Sequence, residues 1–254
     1  MQQNFDIRVI SLIDQQDRRE RVQQLFKDTN IAWQFLDAVS GKNLENYWHH
    51  YDQAQRLKTL GYDMRNNEIA CFLSHRIAWQ QCVENNKPML VLEDDIKINP
   101  TFQSIAATIP TIHQLLPELK EHFFVRVGRV NEREHIFIKK INDTQLVRCL
   151  KDPMSTIAYL VTPQIAQSLL AHSEKFSLPV DNFLWQGWRH GCHLLDIVPQ
   201  ICFTNEDETP STIGTRQKPS ISPCKKVSRE YYRFMQKTKD YFYQKKILKK
   251  LNIS

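Results

Sequence analysis

Short apolar runs alternate with longer stretches of helical period along most of this chain. Ile7 to Leu12 reads as a first strand, followed by a polar loop and a helix over about 18–28 with Val22, Leu25 and Phe26 on one face. Residues 32–38 read as a second strand, ended by Ser40-Gly41, so the chain opens as a strand-helix-strand unit. Residues 42–66 are polar with scattered aromatics and predict an irregular excursion or short helices. A helix follows over about 67–85, its apolar positions spaced at 3.6 residues, then a buried strand from Pro88. Residues 102–119 predict a helix interrupted near Pro110, and 122–128 another strand. Alternation over 136–141 and 145–149 predicts a hairpin turning at Asn142-Asp143. A strand over 156–161 leads into a helix opened by Pro163. Residues 194–198 and 199–203 close the pattern, and 204–223, rich in Pro, Ser and Thr, reads as a loop or lid. The picture is α/β, one domain over 1–223, with a helical tail over 224–254.

Composition narrows the chemistry. The 254 residues are 41% hydrophobic, enough for one sizeable core. Only six glycines are present, with neither G-x-x-x-x-G-K-[ST] nor G-x-G-x-x-G, which disfavours nucleotide binding through those loops. Six cysteines form no C-x-x-C pair, arguing against a zinc site of that type. The first residues are polar, with no apolar signal region, and no stretch reaches the roughly 18 apolar residues of a membrane span. The expectation is a cytoplasmic chain with reduced thiols. The net charge of +6 is unevenly placed: residues 225–254 hold ten Lys/Arg against Glu230 and Asp240, which leaves the rest of the chain at −2.

The chemistry-bearing segment is Val91-Leu92-Glu93-Asp94-Asp95. Three carboxylates at one strand end repel each other, and a divalent cation is the simplest compensation. Strand alternation would point Glu93 and Asp95 one way and Asp94 the other. Oxygen-only ligands suit Mn²⁺ or Mg²⁺, with Asp95 as the first metal ligand, Glu93 as a second or as a ribose contact, and Asp94 bracing the loop. A solvated acidic turn is the plain alternative.

Several separated blocks together resemble glycosyltransferase family 25. Val9-Ile10-Ser11-Leu12 with Asp17-Arg18-Arg19 is similar to the family's opening strand and loop, and Leu36-Asp37-Ala38-Val39-Ser40-Gly41 to its second-strand signature. Glu68 to His75 resembles its helix ending in Ser-His, and Val91 to Ile96 its acid segment. Ala158 to Pro163 and Pro179-Val180-Asp181 match two later blocks. Asn67 stands where the family has glycine, and Ser11 where it commonly has asparagine.

The resemblance implies a GT-A-type nucleotide-sugar-binding domain with a central, mostly parallel sheet. It implies inverting transfer of a hexose, most often galactose from UDP-galactose, onto a lipopolysaccharide or lipooligosaccharide. UDP-glucose or a UDP-N-acetylhexosamine is the alternative donor. Ser11, Leu12 and Arg18 would lie beside the donor nucleotide, Ala38 beside the base, and Ser74 and His75 on the helix leading to the metal strand. Inversion needs a base for the acceptor hydroxyl. Asp181 matches a family acid and is the candidate, with Glu206, Asp207 and Glu208 as rivals and a helix cap as its structural alternative. Glu93 is the second catalytic candidate. Trp185 and Trp188 could stack on acceptor sugar.

In the tail, Val227, Tyr231, Phe234, Met235, Tyr241, Phe242 and Leu248 are expected near one helix face. The partners expected are an anionic inner-membrane surface near a lipid-linked oligosaccharide acceptor, or alternatively a second subunit. Two further classes stay open: a metal-dependent phosphohydrolase using the same acids, and nucleic-acid binding through the tail, which the acidic balance of the main domain disfavours.

Overall fold

A computed structural model describes residues 3–128, 134–151, 155–204 and 222–251. The first strand, β1 (Asp6–Ser11), lies between β2 (Gln34–Asp37) and β3 (Met89–Glu93), parallel to both. Helix α1 (Gln16–Phe26) connects β1 to β2. A 3-10 turn at Glu45–His50, α2 (Gln53–Leu60) and α3 (Asn66–Glu84) carry the chain back across β1 to β3. Leaving to one side and returning on the other reverses the strand order at β1. That opens a crevice at the carboxyl ends of β1 and β3, where open α/β sheets hold ligands.

The main sheet continues through β8 (Ala158–Val161), β5 (Phe123–Arg126), β9 (His193–Val198), β7 (Thr144–Cys149) and β6 (His135–Ile141), in that spatial order. Three of its neighbour pairs are parallel and four antiparallel, because β8 runs against both β3 and β5, and β7 against both β9 and β6. The sheet is therefore mixed, not mostly parallel as expected. Apolar runs such as Ala158–Val161 are buried on both faces, but double burial does not fix strand direction. Short strands β4 (Ile96–Ile98) and β10 (Cys202–Thr204) pair with each other in a second, two-stranded sheet.

Pleating sorts the side chains into two cores. Ile10 and Val91 face α3, α5 (Pro163–His172) and α6 (Val180–Trp185); Val9, Leu90 and Leu92 face α1 and α4 (Ile105–Leu115) on the other side. Pro110 sits inside α4 without interrupting it, so the expected break is absent. The hairpin turns where expected, with Asn142 at φ 52°.

The last helix, α8 (Pro223–Lys250), packs on α2 and on the short α7 (Gly187–His190). Its inward face carries Tyr243, Gln244 and Ile247, all buried. Val227, Tyr231, Phe234, Tyr241 and Phe242, expected near one helix face, are exposed together. The helix carries a second, inward apolar stripe with Tyr243 and Ile247, which the sequence expectation does not include. The expected loop or lid, including Glu206, Asp207 and Glu208, falls almost wholly outside the described residues.

Candidate functional site

Register places Ile10 of β1 beside Glu93 of β3, so the acids emerge at the crevice between those two strand ends. The strand stops at Glu93, and Asp94 and Asp95 form the turn into β4. Alternation therefore separates Glu93, which faces α3, from Asp94, which faces α1, but it does not set the direction of Asp95. All three line one cleft together with Leu12, Arg18, Ala38, Ser74 and His75. Its enclosed part measures about 120 Å³. That is room for a sugar or a phosphate, so a whole nucleotide-sugar would extend into the open mouth.

Each acid has a different environment. Asp94 is buried and already engaged: it accepts from Ser11 Oγ at 2.7 Å and from Arg18 Nη1 at 2.8 Å. Its backbone carbonyl accepts from Arg21 at 3.0 Å. Asp94 thus ties α1 to the end of β1. Glu93 accepts from Thr156 Oγ1 at 2.6 Å and lies 3.4 Å from His75 Nε2. Burial pulls its pKa up, but His75, the Thr156 hydroxyl and Arg18 outweigh that and hold it below the ordinary glutamate value. Asp95 goes the other way. Burial first, then the charges of Glu93 and Asp94, push its pKa up to about 7, and its Oδ1 is buried with no hydrogen-bond partner. A buried acceptor without a donor, beside an ionised carboxylate, fits a bound cation.

Behind Glu93 a buried chain of polar groups fixes the imidazole. Trp79 Nε1 donates to Tyr159 Oη at 2.8 Å, and Tyr159 Oη lies 2.9 Å from His75 Nδ1. Indole nitrogen only donates, so Tyr159 Oη accepts from Trp79 and also meets His75 Nδ1, which leaves His75 Nε2 facing Glu93. Tyr159→Phe is expected to cost about 1–3 kcal/mol, because it leaves Trp79 Nε1 and His75 Nδ1 buried without partners. Denaturant unfolding measures it; an unchanged midpoint would show that this chain carries no energy.

Cys71, one turn before His75 on α3, is the site residue that sequence reasoning missed. Its thiol, a His75 nitrogen and a Glu93 oxygen lie within 4.8 Å of one another, a spacing that can hold a metal ion. The Cys-x-x-x-His spacing was visible in the sequence; the third member reaches it only through the fold. Burial first, then Glu93, Asp181 and Asp95, pushes the Cys71 thiol well above its ordinary value. The same coupling puts the Asp181 carboxylate within electrostatic reach of the cleft, although Asp181 is not among its lining residues. Asp181 lies in the first turn of α6, inside the helix and not at its cap, and accepts from Asn182 N at 2.8 Å.

Other predicted residues hold the walls. Ser74 Oγ accepts from Val39 N at 2.9 Å and donates to Ala70 O at 2.8 Å, latching the 38–41 loop onto α3. Ala38 N donates to Ser11 O at 2.9 Å. Gly41 faces Asn67 so closely that a Cβ on Gly41 would come within 2.1 Å of Asn67 Oδ1. Trp185 and Trp188 do not line the cleft; Arg148 lies over the first ring and Lys239 over the second.

Comparison with known proteins gives a consistent picture. The family model described as Glycosyltransferase family 25 (LPS biosynthesis protein) matches residues 1–184. The lipooligosaccharide biosynthesis protein lic2B of Haemophilus influenzae is 23% identical over 171 residues, 65% of this chain and 62% of that protein. Procollagen galactosyltransferase 1 of Danio rerio is 27% identical over 197 residues, 70% of this chain and 30% of that one. A Bos taurus relative, described as a probable inactive glycosyltransferase 25 family member 3, is 28% identical over 200 residues, 70% of this chain and 31% of its own. The chain matches less than two thirds of the length of each of these relatives.

Proposed function

Because the chain belongs to glycosyltransferase family 25, we propose that it transfers a hexose, galactose first, from a UDP-sugar to a hydroxyl of a lipid-linked oligosaccharide, with inversion. The observation that carries this is the convergence of Glu93, Asp94 and Asp95 in one cleft, with Asp95 Oδ1 buried and unpartnered. Similarity to lic2B and to a procollagen galactosyltransferase supports the sugar and the acceptor class.

Glu93 and Asp95 would hold one divalent cation, Mn²⁺ or Mg²⁺, which supplies charge neutralisation for a departing diphosphate. Cys71 and His75 border Glu93 on the α3 side, in a ligand-spaced group that does not include Asp95. The remaining work falls to the chain itself. Asp94 holds the Arg18 guanidinium in the cleft, where it adds positive charge on the donor side. Ser11 and Leu12 end β1 beneath the donor, and Ala38, kept small, lets a base approach the loop backbone. The acceptor hydroxyl oxygen bonds to the anomeric carbon as the bond from that carbon to the diphosphate breaks. The electron pair leaves with UDP, and the hydroxyl proton passes to the Asp181 carboxylate.

A donor screen with Mn²⁺, reading UDP release with and without an oligosaccharide acceptor, tests the proposal. UDP-galactose is expected to give acceptor-dependent release that Asp95→Ala abolishes. If UDP-galactose, UDP-glucose and UDP-N-acetylhexosamines all bind the native chain no better than the Asp95→Ala chain, the reading fails. Acceptor-independent release alone would favour the phosphohydrolase instead.

A further inference from the structure

Helix α8 spans 28 residues and presents apolar groups on two opposite sides. Nine residues, about two and a half turns, separate Phe234 from Tyr243, which places them across the helix from each other. The Tyr243 side is occupied. Tyr243 Oη meets His193 Nδ1 and lies 3.2 Å from Cys192 O, Gln244 Oε1 accepts from buried Arg148 at 3.0 Å, and Ile247 is 1% exposed. On the other side Val227, Phe234 and Tyr241 recur every seven residues, joined by Tyr231 and Phe242, each more than half exposed. Nothing in the fold requires large rings there.

We propose that this outward face of α8 docks on an anionic lipid bilayer, the rings lying in the interface and the flanking lysines on the headgroups. Charge complementarity selects that occupant. Lys237 and Arg233 flank the stripe on one side and Lys246 on the other, and Lys245 and Lys249 continue it toward the carboxyl end. Glu230, the acid nearest the stripe, is paired with Arg229 and Arg233. Aromatic rings with lysines around them suit a headgroup boundary, where apolar bodies are buried and long cationic stems reach out. No described helix is long and apolar enough to cross a membrane, so α8 would lie on the surface.

A second copy of the chain fits the same face poorly. A coiled seam needs apolar residues three or four positions beyond each member of the seven-residue repeat. Those rows read Glu230, Lys237, Gln244 and Tyr231, Thr238, Lys245, and pairing two copies would set lysine against lysine.

The test is co-sedimentation of the full chain with vesicles of phosphatidylcholine alone or mixed equally with phosphatidylglycerol, without donor or acceptor. Failure of transfer and failure of docking are thereby read separately. Binding to the anionic vesicles is expected to be at least about tenfold tighter and to weaken at high salt. Tyr231→Ser/Phe234→Ser/Phe242→Ser should lose about tenfold or more with an unchanged thermal midpoint, since those rings touch no core. Lys245→Glu/Lys249→Glu should lose the preference for anionic lipid. No binding of the full chain to anionic vesicles, or equal binding by the triple-serine variant, overturns the proposal. So does a dimer of the full chain that the same serines convert to monomer, because a second copy would then cover the face.

Discussion

Asp95→Asn is expected to stabilise the cation-free protein at pH 8 while abolishing most of the proposed transferase activity. The carboxyl has a folded pKa of about 7 against an ordinary value of 3.8, raised by burial and then by Glu93 and Asp94. A raised folded pKa contributes stability that is fully present below the unfolded value and is lost as pH rises through the folded one. Between about pH 4 and pH 7 the native protein should therefore lose up to roughly 1.4 kcal/mol per pH unit from this group, less what its partial exposure screens. Asparagine carries no charge at either pH and removes that loss. Thermal midpoints of the two chains should nearly coincide near pH 4 and diverge in favour of the variant at pH 8. Added Mn²⁺ should raise the midpoint of the native chain at pH 8 and that of the variant far less. On activity the variant should fall about 100-fold or more in kcat/KM, the equivalent of ~2.7 kcal/mol of lost charge stabilisation. A variant that kept both its turnover and the native pH dependence of stability would remove Asp95 from the site.

The largest stability loss should come from Arg126→Met, on the far side of β8 from the acids. Arg126 and Asp196 face each other on parallel β5 and β9, with Arg126 Nε 2.6 Å from Asp196 Oδ1. Arg126 Nη1 also donates to Ser155 O at 3.1 Å. The two side chains are 3% and 1% exposed, so removing the guanidinium leaves a carboxylate in the core. Such a loss costs about 3–5 kcal/mol, or roughly 10 °C of thermal midpoint for a chain of this size. Arg126→Met/Asp196→Leu should recover much of it, because an apolar pair of similar volume carries no stranded charge. If the single variant melts within about 2 °C of the parent, water reaches Asp196 and the pair is not sealed.

What could be read from the chain follows from which forces are local. β1, β3, β8 and the β6–β7 hairpin announce themselves through apolar runs, alternation and a turn-forming Asn-Asp, and all are present. Strand direction is not local. The runs of β5 and β8 look like parallel-sheet strands because both faces are covered, yet the connection through β6 and β7 returns the chain antiparallel. β4 was missed because three residues following an acid turn give no period to detect. In α8 the two stripes interleave in sequence, so rings that pack and rings that face out look alike until the domain claims one side. At the site, the acids were legible as an electrostatic problem, and Asp94 as a brace. The split that holds Glu93 low beside a raised Asp95 needed His75 on α3, Thr156 just before β8 and Arg18 on α1, which three separate parts of the chain deliver.

Gly41 and Asn67 stand on facing walls of the cleft with space for one side chain between them. In this chain Asn67 Oδ1 occupies that space. A side chain at 41 would meet that amide and also the backbone of residues 66 and 67, at 3.1 Å, so a smaller residue at 67 would relieve only part of the crowding. The 38–41 loop therefore meets the start of α3 with no room for growth, and the mouth of the cleft keeps its width there whatever happens to the strands that hold the acids.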